Sequence, residues 1–185
     1  MGGKKIDMEI KEMPLKGAFL LKCFRADDER GSFIKLFNKD EYTRLGIGTV
    51  LEEVYYSISQ KNVIRGMHFQ MPPYDHEKIV HVISGSVIDV IVDLRKESGT
   101  YGQYAAVELS ENNNLAVFIP RGFAHGFKST KDNSIMLYQV SSGYNRDCDM
   151  GIAYDSFDYD WKVDEPIISQ RDKQFIDLSS FSSPF

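Results

Sequence analysis

The stretch Ser86-Val-Ile-Asp-Val-Ile-Val-Asp93 is the clearest structural signal in this chain of 185 residues. Its β-branched residues favour a strand, Gly85 precedes it, and a turn-forming segment, Arg95–Gly99, follows it. Similar apolar runs recur at intervals of roughly ten residues, with turn-forming clusters between them. These runs are Val50–Ser59, Ile79–Ile83, Tyr104–Leu109, Leu115–Ile119 and Ile135–Val140. The pattern predicts an all-β sandwich or barrel.

Helical signals are few and short. The window Lys39–Leu45 has helical character, and Asn38 precedes it as a candidate N-cap. A further short helix is expected near the carboxyl terminus, and the serine-rich stretch Asp177–Phe185 is predicted to be a loosely held tail. At roughly 150 residues per domain, the length predicts a single domain that spans residues 1–185.

Composition and charge exclude several classes of partner. The chain carries 22 Lys and Arg against 27 Asp and Glu, a net charge of −5, so we expect no nucleic-acid partner, which normally requires a broad basic face. No apolar run approaches the roughly 18 residues of a membrane span, so no membrane partner is expected. Cys23 and Cys148 match no metal or redox spacing, and Met1–Lys5 has no apolar signal core, which together predict a cytoplasmic protein.

Two of the four histidines lie in motifs. The stretch Pro120-Arg-Gly-Phe-Ala-His125 resembles the second motif of cupin barrels, Pro-x-Gly-x-x-His, which implies that His125 points into the mouth of a double-stranded β-helix barrel. A metal-binding cupin also has a His-x-His pair, but here His68-Phe-Gln70 places an amide where the second imidazole would stand. We therefore expect no metal, and a metal-dependent cupin oxygenase or isomerase stays an alternative. His76 and His81 receive no role.

Eight positions and stretches, spread over nearly the whole chain, follow one another in a characteristic order and spacing. They are Glu29–Phe33, Arg65–Gln70, Lys78, Gly85–Arg95, Ser98–Gly102, Glu108–Ser110, Ile119–Phe127 and Ile168–Asp172. Taken together, they resemble the dTDP-4-dehydrorhamnose 3,5-epimerase family. The resemblance implies a cupin-like jelly-roll barrel with short peripheral helices, a homodimer, and a nucleotide-diphosphate 4-keto sugar as substrate. It also implies a reaction that uses no metal and no organic cofactor.

The chemistry of that family requires groups that this chain has. Epimerising a carbon next to a ketone needs a base on one face, an acid on the other, and a group that stabilises the enolate oxygen. By resemblance His68 is the base, since histidine has an ordinary pKa near 6.5, and Asp172 orients it. Tyr138 matches the acid on the opposite face. Lys78 matches the cation beside the enolate oxygen, with His125 close to it.

Substrate-binding residues follow from the same resemblance. Arg30 and Arg65 stand at phosphate-contact positions, which suits the planar hydrogen-bonding geometry of arginine. Phe33 is expected to pack against the base or sugar, and Tyr144 to stack near the nucleotide base. Gln70, two residues after the proposed base, is also assigned to the substrate-binding set.

The chain departs from the family pattern at positions near the substrate. Glu53 and Tyr55 replace two amides in the family's Gln-x-Asn-x-Ser, here Glu53-Val-Tyr-Tyr-Ser57. Where the family has Phe-x-Glu, this chain has Phe33-Ile-Lys35. Where the family has Glu-x-Gly-Ile-x-Trp, this chain has Asp149-Met-Gly-Ile-Ala-Tyr154. The proton-transfer residues are intact, so we expect the reaction type to be preserved. The nucleotide (dTDP, CDP, GDP or UDP) and the sugar stay open.

The sequence thus predicts an epimerase that inverts C3, C5 or both in a nucleotide-activated 4-keto-6-deoxy sugar, within deoxysugar biosynthesis. One alternative is an epimerase of a single carbon that acts on a sugar carried by another nucleotide. The other is a noncatalytic barrel that binds sugar nucleotides. The joint presence of His68, Lys78, Tyr138 and Asp172 favours an enzyme, because a pure binding protein does not need an acid–base set.

Overall fold

Strands make up most of the regular structure in the computed structural model, which describes residues 8–48 and 50–185. The strands are β1 (Glu9–Glu12), β2 (Phe19–Lys22), β3 (Phe24–Asp28), β4 (Gly31–Lys35), β5 (Glu53–Ser59), β6 (Ile64–Gln70), β7 (Lys78–Ser84), β8 (Ser86–Asp93), β9 (Tyr104–Ser110), β10 (Leu115–Ile119), β11 (Phe123–Ser129), β12 (Ser134–Val140) and β13 (Asp149–Gly151). The helices are α1 (Lys39–Arg44) and two 3-10 helices, Asp172–Gln174 and Leu178–Ser180. The predicted all-β class with short peripheral helices is confirmed.

Two antiparallel sheets form the barrel. The larger has the strand order β1-β2-β10-β7-β12-β5, and the smaller has the order β13-β6-β11-β8-β9. Strands that are distant in sequence lie side by side in both sheets, as expected for a jelly roll. The strands β3 and β4 form a separate hairpin.

The main apolar core lies between the inner faces of the two sheets. Alternate residues of a strand point to opposite faces, so each strand contributes every second side chain to this core. The larger sheet contributes Val80, Val82, Val117, Ile119 and Met136, and the smaller contributes Val87, Ile91, Leu109, Phe123 and Phe127. Burial of these side chains is the main stabilising contribution to the barrel.

The predicted strands agree with the observed ones, with small shifts at their ends. The strand predicted at Val50–Ser59 begins at Glu53. Among the described residues, β5 is paired with β12, whose last residue, Val140, lies directly opposite Glu53. The Glu52 N–H still donates to the Val140 carbonyl at 2.9 Å, and the described residues before it lie beyond the end of β12.

The outer face of the larger sheet is covered by α1 and its flanking loops. The predicted N-cap is confirmed, since the Asn38 side chain accepts a hydrogen bond from the Glu41 N–H at 3.1 Å. Such a cap stabilises a helix by about 1 kcal/mol. Tyr42 of α1 is fully buried against this face, and its hydroxyl donates to the Leu36 carbonyl at 2.7 Å.

The outer face of the smaller sheet is covered by the carboxyl-terminal segment. The sequence predicts a loosely held tail at 177–185, but the structure packs this segment against β6. Phe181 is buried, and its ring lies 5.2 Å from that of Phe69, while the Phe185 ring contacts Phe69 edge-on at 5.9 Å. Ser183 is also buried, and its hydroxyl donates to the Leu94 carbonyl at 2.5 Å. Apolar burial and this hydrogen bond therefore hold the tail.

The helices of the described ranges are too short and too polar for any of them to span a membrane. The prediction about a signal segment depends on Met1–Lys5, which lie outside the described residues.

Candidate active site

A cavity of about 490 Å³ opens between the two sheets at one end of the barrel. That volume is in the range of small-molecule sites. One wall is formed by β5, β7 and β12 of the larger sheet, and the facing wall by β6 and β11 of the smaller sheet. Of the sequence-predicted residues, these line the cavity: Glu53, Tyr55, Arg65, His68, Gln70, Lys78, His125, Tyr138 and Tyr144.

His68 on β6 is paired with Asp172, although 104 residues separate them in sequence. The His68 Nε2 lies 3.0 Å from Asp172 Oδ1, and the second oxygen, Oδ2, accepts the Gly66 N–H at 3.2 Å. Burial opposes ionisation of Asp172, but these hydrogen bonds outweigh it and lower its pKa. An ionised carboxylate only accepts hydrogen bonds, so Nε2 is the nitrogen that donates to Asp172, and Nδ1 is the nitrogen that can accept a proton when the imidazole is neutral.

Two glycines allow the neighbouring strands β6 and β11 to approach each other closely beside this pair. A Cβ atom on Gly66 would lie 2.5 Å from the Gly126 Cα, so neither strand could carry a side chain at this point without moving. The register of the two strands shifts at the same place, and His68 lies directly opposite His125. The close approach places both motif histidines in one wall of the cavity.

His125 forms a second pair with a carboxylate. Its Nε2 lies 2.6 Å from Asp89 Oδ2, and both residues are buried. Burial lowers the pKa of His125, with Lys78 adding to that effect and Asp89 opposing it. Asp89 is the fourth residue of the Ser86–Asp93 strand, and sequence reasoning assigned it no role.

Lys78 presents to the cavity an ammonium that has no direct partner among the described residues. It is buried, and within the described ranges its ammonium makes no hydrogen bond or ion pair. Burial lowers the pKa of Lys78 to about 8, against the opposing charges of Asp89 and Asp149. A partly desolvated ammonium without a partner is well suited to an anionic or partly negative oxygen of a ligand.

Tyr138 lies on the opposite wall from His68. Its hydroxyl shares a hydrogen bond with the Ser57 hydroxyl at 3.0 Å, and its ring stacks on Tyr55 with centroids 4.9 Å apart. The stacking follows from register, since Tyr138 and Tyr55 are directly opposite each other on β12 and β5. Burial raises the pKa of Tyr138, so the phenol keeps its proton at neutral pH. The group can therefore act as a proton donor.

The departures from the family pattern have defined contacts. The Glu53 Oε1 accepts the Tyr144 N–H at 2.8 Å, so the acid anchors the loop that carries the exposed Tyr144. Burial raises the pKa of Tyr55 to about 12, with the nearby charges of Glu53 and Asp149 adding to the effect. Both residues shape the cavity wall.

Gln70 and Arg65 also line the cavity and make hydrogen bonds to the protein. The Gln70 amide donates to the carbonyls of Tyr74 and Gly143 at 2.9 and 3.1 Å, and its oxygen accepts the Asn145 N–H at 2.7 Å. It therefore holds two loops together. The exposed Arg65 guanidinium donates to the Ser59 hydroxyl at 3.0 Å and keeps further donors for a ligand.

Arg30 and Phe33 do not line the cavity of their own chain. Both lie on the β3–β4 hairpin, where Arg30 forms an exposed ion pair with Asp28 at 2.5 Å and Phe33 is 60% exposed. Their roles in substrate binding stay predictions.

Several residues of the site were not identified from sequence. Ser57, His76, Asp149 and Arg171 line the cavity, and Arg171 forms an ion pair with Asp149 at 2.9 Å. Burial lowers the pKa of His76 to about 3, with the Lys78 charge adding to this effect, so the imidazole is neutral. The sequence did carry a signal for them. Ser57 and Asp149 stand in stretches that match the family pattern, and His76 and Arg171 lie within two residues of assigned positions.

In the part of the chain that the structure describes, no group of three or more His, Cys, Asp or Glu side chains is placed to hold a metal ion. The expected independence from metals and organic cofactors stays a prediction.

Comparisons with known proteins show the family to which the chain is similar. The family model described as dTDP-4-dehydrorhamnose 3,5-epimerase matches residues 12–180. A dTDP-4-dehydrorhamnose 3,5-epimerase of Methanothermobacter thermautotrophicus is 39% identical over 166 residues, which cover 87% of this chain and 89% of the relative.

Solved structures are similar over almost the same length. The structure of the Bacillus anthracis dTDP-4-dehydrorhamnose 3,5-epimerase with TDP and PPi bound has a TM-score of 0.90 and 34% identity, over 92% of this chain and 99% of that one. The Legionella pneumophila dTDP-6-deoxy-D-glucose-3,5-epimerase in complex with dTDP-4-keto-L-rhamnose has a TM-score of 0.90 and 32% identity, over 95% of both chains.

Proposed function

The chain belongs to the dTDP-4-dehydrorhamnose 3,5-epimerase family, whose members are isomerases, and we propose that it epimerises a dTDP-linked 4-keto-6-deoxy sugar at C3 and C5. One observation carries this proposal: a histidine–carboxylate pair and a protonated tyrosine lie on opposite walls of one cavity. His68 is on the smaller sheet and Tyr138 on the larger. A sugar ring between them would present one face to each, as inversion of a carbon requires.

The first step is removal of a proton by His68. Nδ1 takes the proton from the carbon next to the ketone, and the C–H electrons move into the enolate. The Asp172 carboxylate, which holds Nε2–H, stabilises the imidazolium that results. The Lys78 ammonium, which has no partner among the described residues, stabilises the enolate oxygen.

The second step is delivery of a proton by Tyr138. The enolate carbon takes the phenolic proton on the face opposite His68, so the configuration is inverted. The Ser57 hydroxyl, 3.0 Å from the phenol oxygen, stabilises the phenolate until solvent returns a proton to it. His68 releases its extra proton to solvent, which restores the starting state. The same pair serves the other carbon after the sugar shifts in the cavity.

Substrate binding is assigned to residues at the mouth of the cavity. Arg65 is proposed to contact the diphosphate, and Tyr144 to stack on the base. The dTDP nucleotide follows the relatives. Glu53 and Tyr55 depart from the family pattern, so CDP, GDP and UDP sugars belong in the same test.

A homodimer is proposed as the working form. The outward residues of the edge strand β5 form an exposed apolar row, in which Val54, Tyr56 and Ile58 are 51–65% exposed. Such a row on an unpaired edge favours association with a second copy. Arg30 and Phe33 do not line the cavity of their own chain. In a dimer they could contact a substrate bound in the cavity of the second copy. Light scattering would measure the mass, and a monomer would contradict the proposal.

Deuterium uptake tests the proposed function. In D2O, the enzyme is expected to incorporate label at two carbons of dTDP-4-keto-6-deoxyglucose, read by mass spectrometry. Label at one carbon would show a single-carbon epimerase, and faster uptake with a CDP, GDP or UDP sugar would identify another nucleotide. Binding of these nucleotides without any uptake would indicate the noncatalytic barrel and refute the proposal.

A pH profile tests the role of Lys78. The pKa of Lys78 is lowered to about 8, so the ammonium loses its proton as the pH rises past that value. The enolate then loses the positive charge that stabilises it. We therefore expect kcat/KM to fall on an alkaline limb near pH 8. Lys78→Arg, which stays charged, is expected to remove the limb, and Lys78→Met to lower the rate at every pH. An unchanged limb in Lys78→Met would contradict the assignment.

A further inference from the structure

One aromatic residue outside the predicted set contacts the proposed base. The Phe175 ring meets the His68 imidazole in a T-shaped arrangement, with centroids 5.7 Å apart and planes at 79°. Phe175 follows the 3-10 helix that begins at Asp172, and its N–H donates to the Asp172 carbonyl at 3.4 Å. A single turn of chain therefore brings both the carboxylate and the phenyl ring to the same imidazole.

The Phe175 ring is seated on a glycine that pairs with His68. In the β13–β6 ladder, Gly151 lies directly opposite His68. A Cβ atom built on Gly151 would lie 2.4–2.6 Å from three atoms of the Phe175 ring, and these are its nearest neighbours. Gly151 does not have a positive φ angle, so its backbone conformation can accommodate alanine. The methyl group of an alanine would instead clash with the Phe175 ring. The absence of a side chain at 151 leaves the space that the ring occupies.

Arg171 holds the same ring from another side. Its guanidinium carbon is 5.3 Å from the centre of the Phe175 ring, within the range of a cation–π contact. Arg171 is itself anchored by Asp149, through the ion pair of 2.9 Å and a hydrogen bond of 3.3 Å to the Asp149 carbonyl. The ring is therefore held by Arg171 and by the backbone of Gly151 while it contacts His68.

We propose that Phe175 is a positioning residue for His68, an inference that rests on the proposed role of His68 as the base. The imidazole is held at Cγ by its bond to Cβ and at Nε2 by the hydrogen bond to Asp172, which leaves its plane free to rotate about the line that joins these two points. An edge contact from a firmly held phenyl ring restricts this rotation. Phe175 thereby keeps Nδ1 directed at the cavity and Nε2–H on Asp172.

Paired substitutions at 175 and 151 test this role. Phe175→Ala frees the imidazole, and Gly151→Ala displaces the phenyl ring, so each is expected to slow deuterium uptake at saturating substrate. The expected loss is about 10- to 100-fold, the cost of a small misplacement of a catalytic group, with the affinity for dTDP unchanged. In the double variant the new methyl group meets empty space, so Gly151→Ala is expected to add little to Phe175→Ala.

The matched control is Phe157→Ala. Phe157 is a partly buried phenylalanine that contacts Tyr104 and Tyr159, away from the cavity. The Phe157→Ala variant is expected to have a lower melting temperature and an unchanged rate of deuterium uptake. Phe175→Leu, which keeps most of the side-chain volume, replaces the alanine variant if that one fails to fold.

Nitrogen-15 NMR of the His68 ring gives a readout that does not depend on activity. In the native protein the neutral imidazole is expected to be the single Nε2–H tautomer, and in Phe175→Ala and Gly151→Ala the neutral imidazole is expected to show averaged tautomers. Unchanged His68 resonances and unchanged uptake in both variants would overturn the proposal. If the native protein exchanges no substrate, the proposed function fails, and the NMR comparison still decides whether Phe175 positions His68.

Discussion

Alanine in place of His68 is expected to lower the rate of deuterium uptake by at least about 10²–10⁴-fold, the usual cost of removing a general base. Asp172 holds Nε2 of His68, which leaves Nδ1 as the nitrogen that can take a proton, and Nδ1 has no hydrogen-bond partner in the described ranges. Without this base the proton next to the ketone stays in place, so neither carbon can exchange. Uptake measured by mass spectrometry under saturating substrate checks the result.

Two comparisons separate this loss from a loss of structure. His68 is only partly buried, so His68→Ala is expected to keep the fold and the affinity for dTDP, measured by calorimetry. Asp172→Asn keeps the His68 imidazole but replaces the carboxylate that His68 Nε2 contacts with an amide. A large loss of deuterium uptake is expected for this variant as well. If His68→Ala retained more than about a tenth of the native uptake, far above the loss expected for a general base, His68 would not be the base.

Phenylalanine in place of Tyr138 is expected to uncouple exchange from inversion. His68 still removes the proton and returns a solvent-derived one to the same face, so label enters the substrate. Inversion requires the phenol on the opposite wall, and its rate is expected to fall by about 10²-fold or more. Time courses of label uptake by mass spectrometry and of product configuration by NMR, in the same sample, measure both rates.

Tyr55→Phe is the matched control for this experiment. Tyr55 stacks on Tyr138 from the adjacent strand, so this variant removes a second phenol from the same cavity and preserves the ring pair. It is expected to keep exchange and inversion in their native proportion. An equal loss of both rates in Tyr138→Phe would show that Tyr138 is not the acid for inversion.

Local sequence was sufficient for most of the individual elements. The stretch Ser86–Asp93 is a strand with the predicted bounds, and α1 begins at the predicted cap, Asn38. Both depend on interactions within a few residues, namely β-branched packing and a side chain that accepts a backbone N–H. The tail at 177–185 was misjudged, because its order comes from Phe69, a residue more than a hundred positions away.

The sequence also indicated which residues belong to the site, through a resemblance and not through geometry. His68, Lys78, His125 and Tyr138 meet in one cavity, as the resemblance implies. It did not indicate Ser57 or Asp89, whose side chains contact Tyr138 and His125. Both residues lie inside stretches that match the family, Glu53–Ser57 and Gly85–Arg95, but no sequence pattern singled them out. Their contacts follow from which strand lies beside which.

By itself, the sequence determined the class of fold, the positions of most strands, and the set of groups available for proton transfer. These follow from side-chain preferences and alternation, which act over a few residues. A family resemblance implied that Asp172 orients His68 and that Tyr138 acts from the opposite face. Only the tertiary structure gave the contacts themselves: the 3.0 Å pair of His68 and Asp172 across 104 residues, and the Phe175 ring on Gly151. The physical reason is that sheet order and the packing of the carboxyl-terminal segment depend on long-range burial and pairing, which no local pattern encodes.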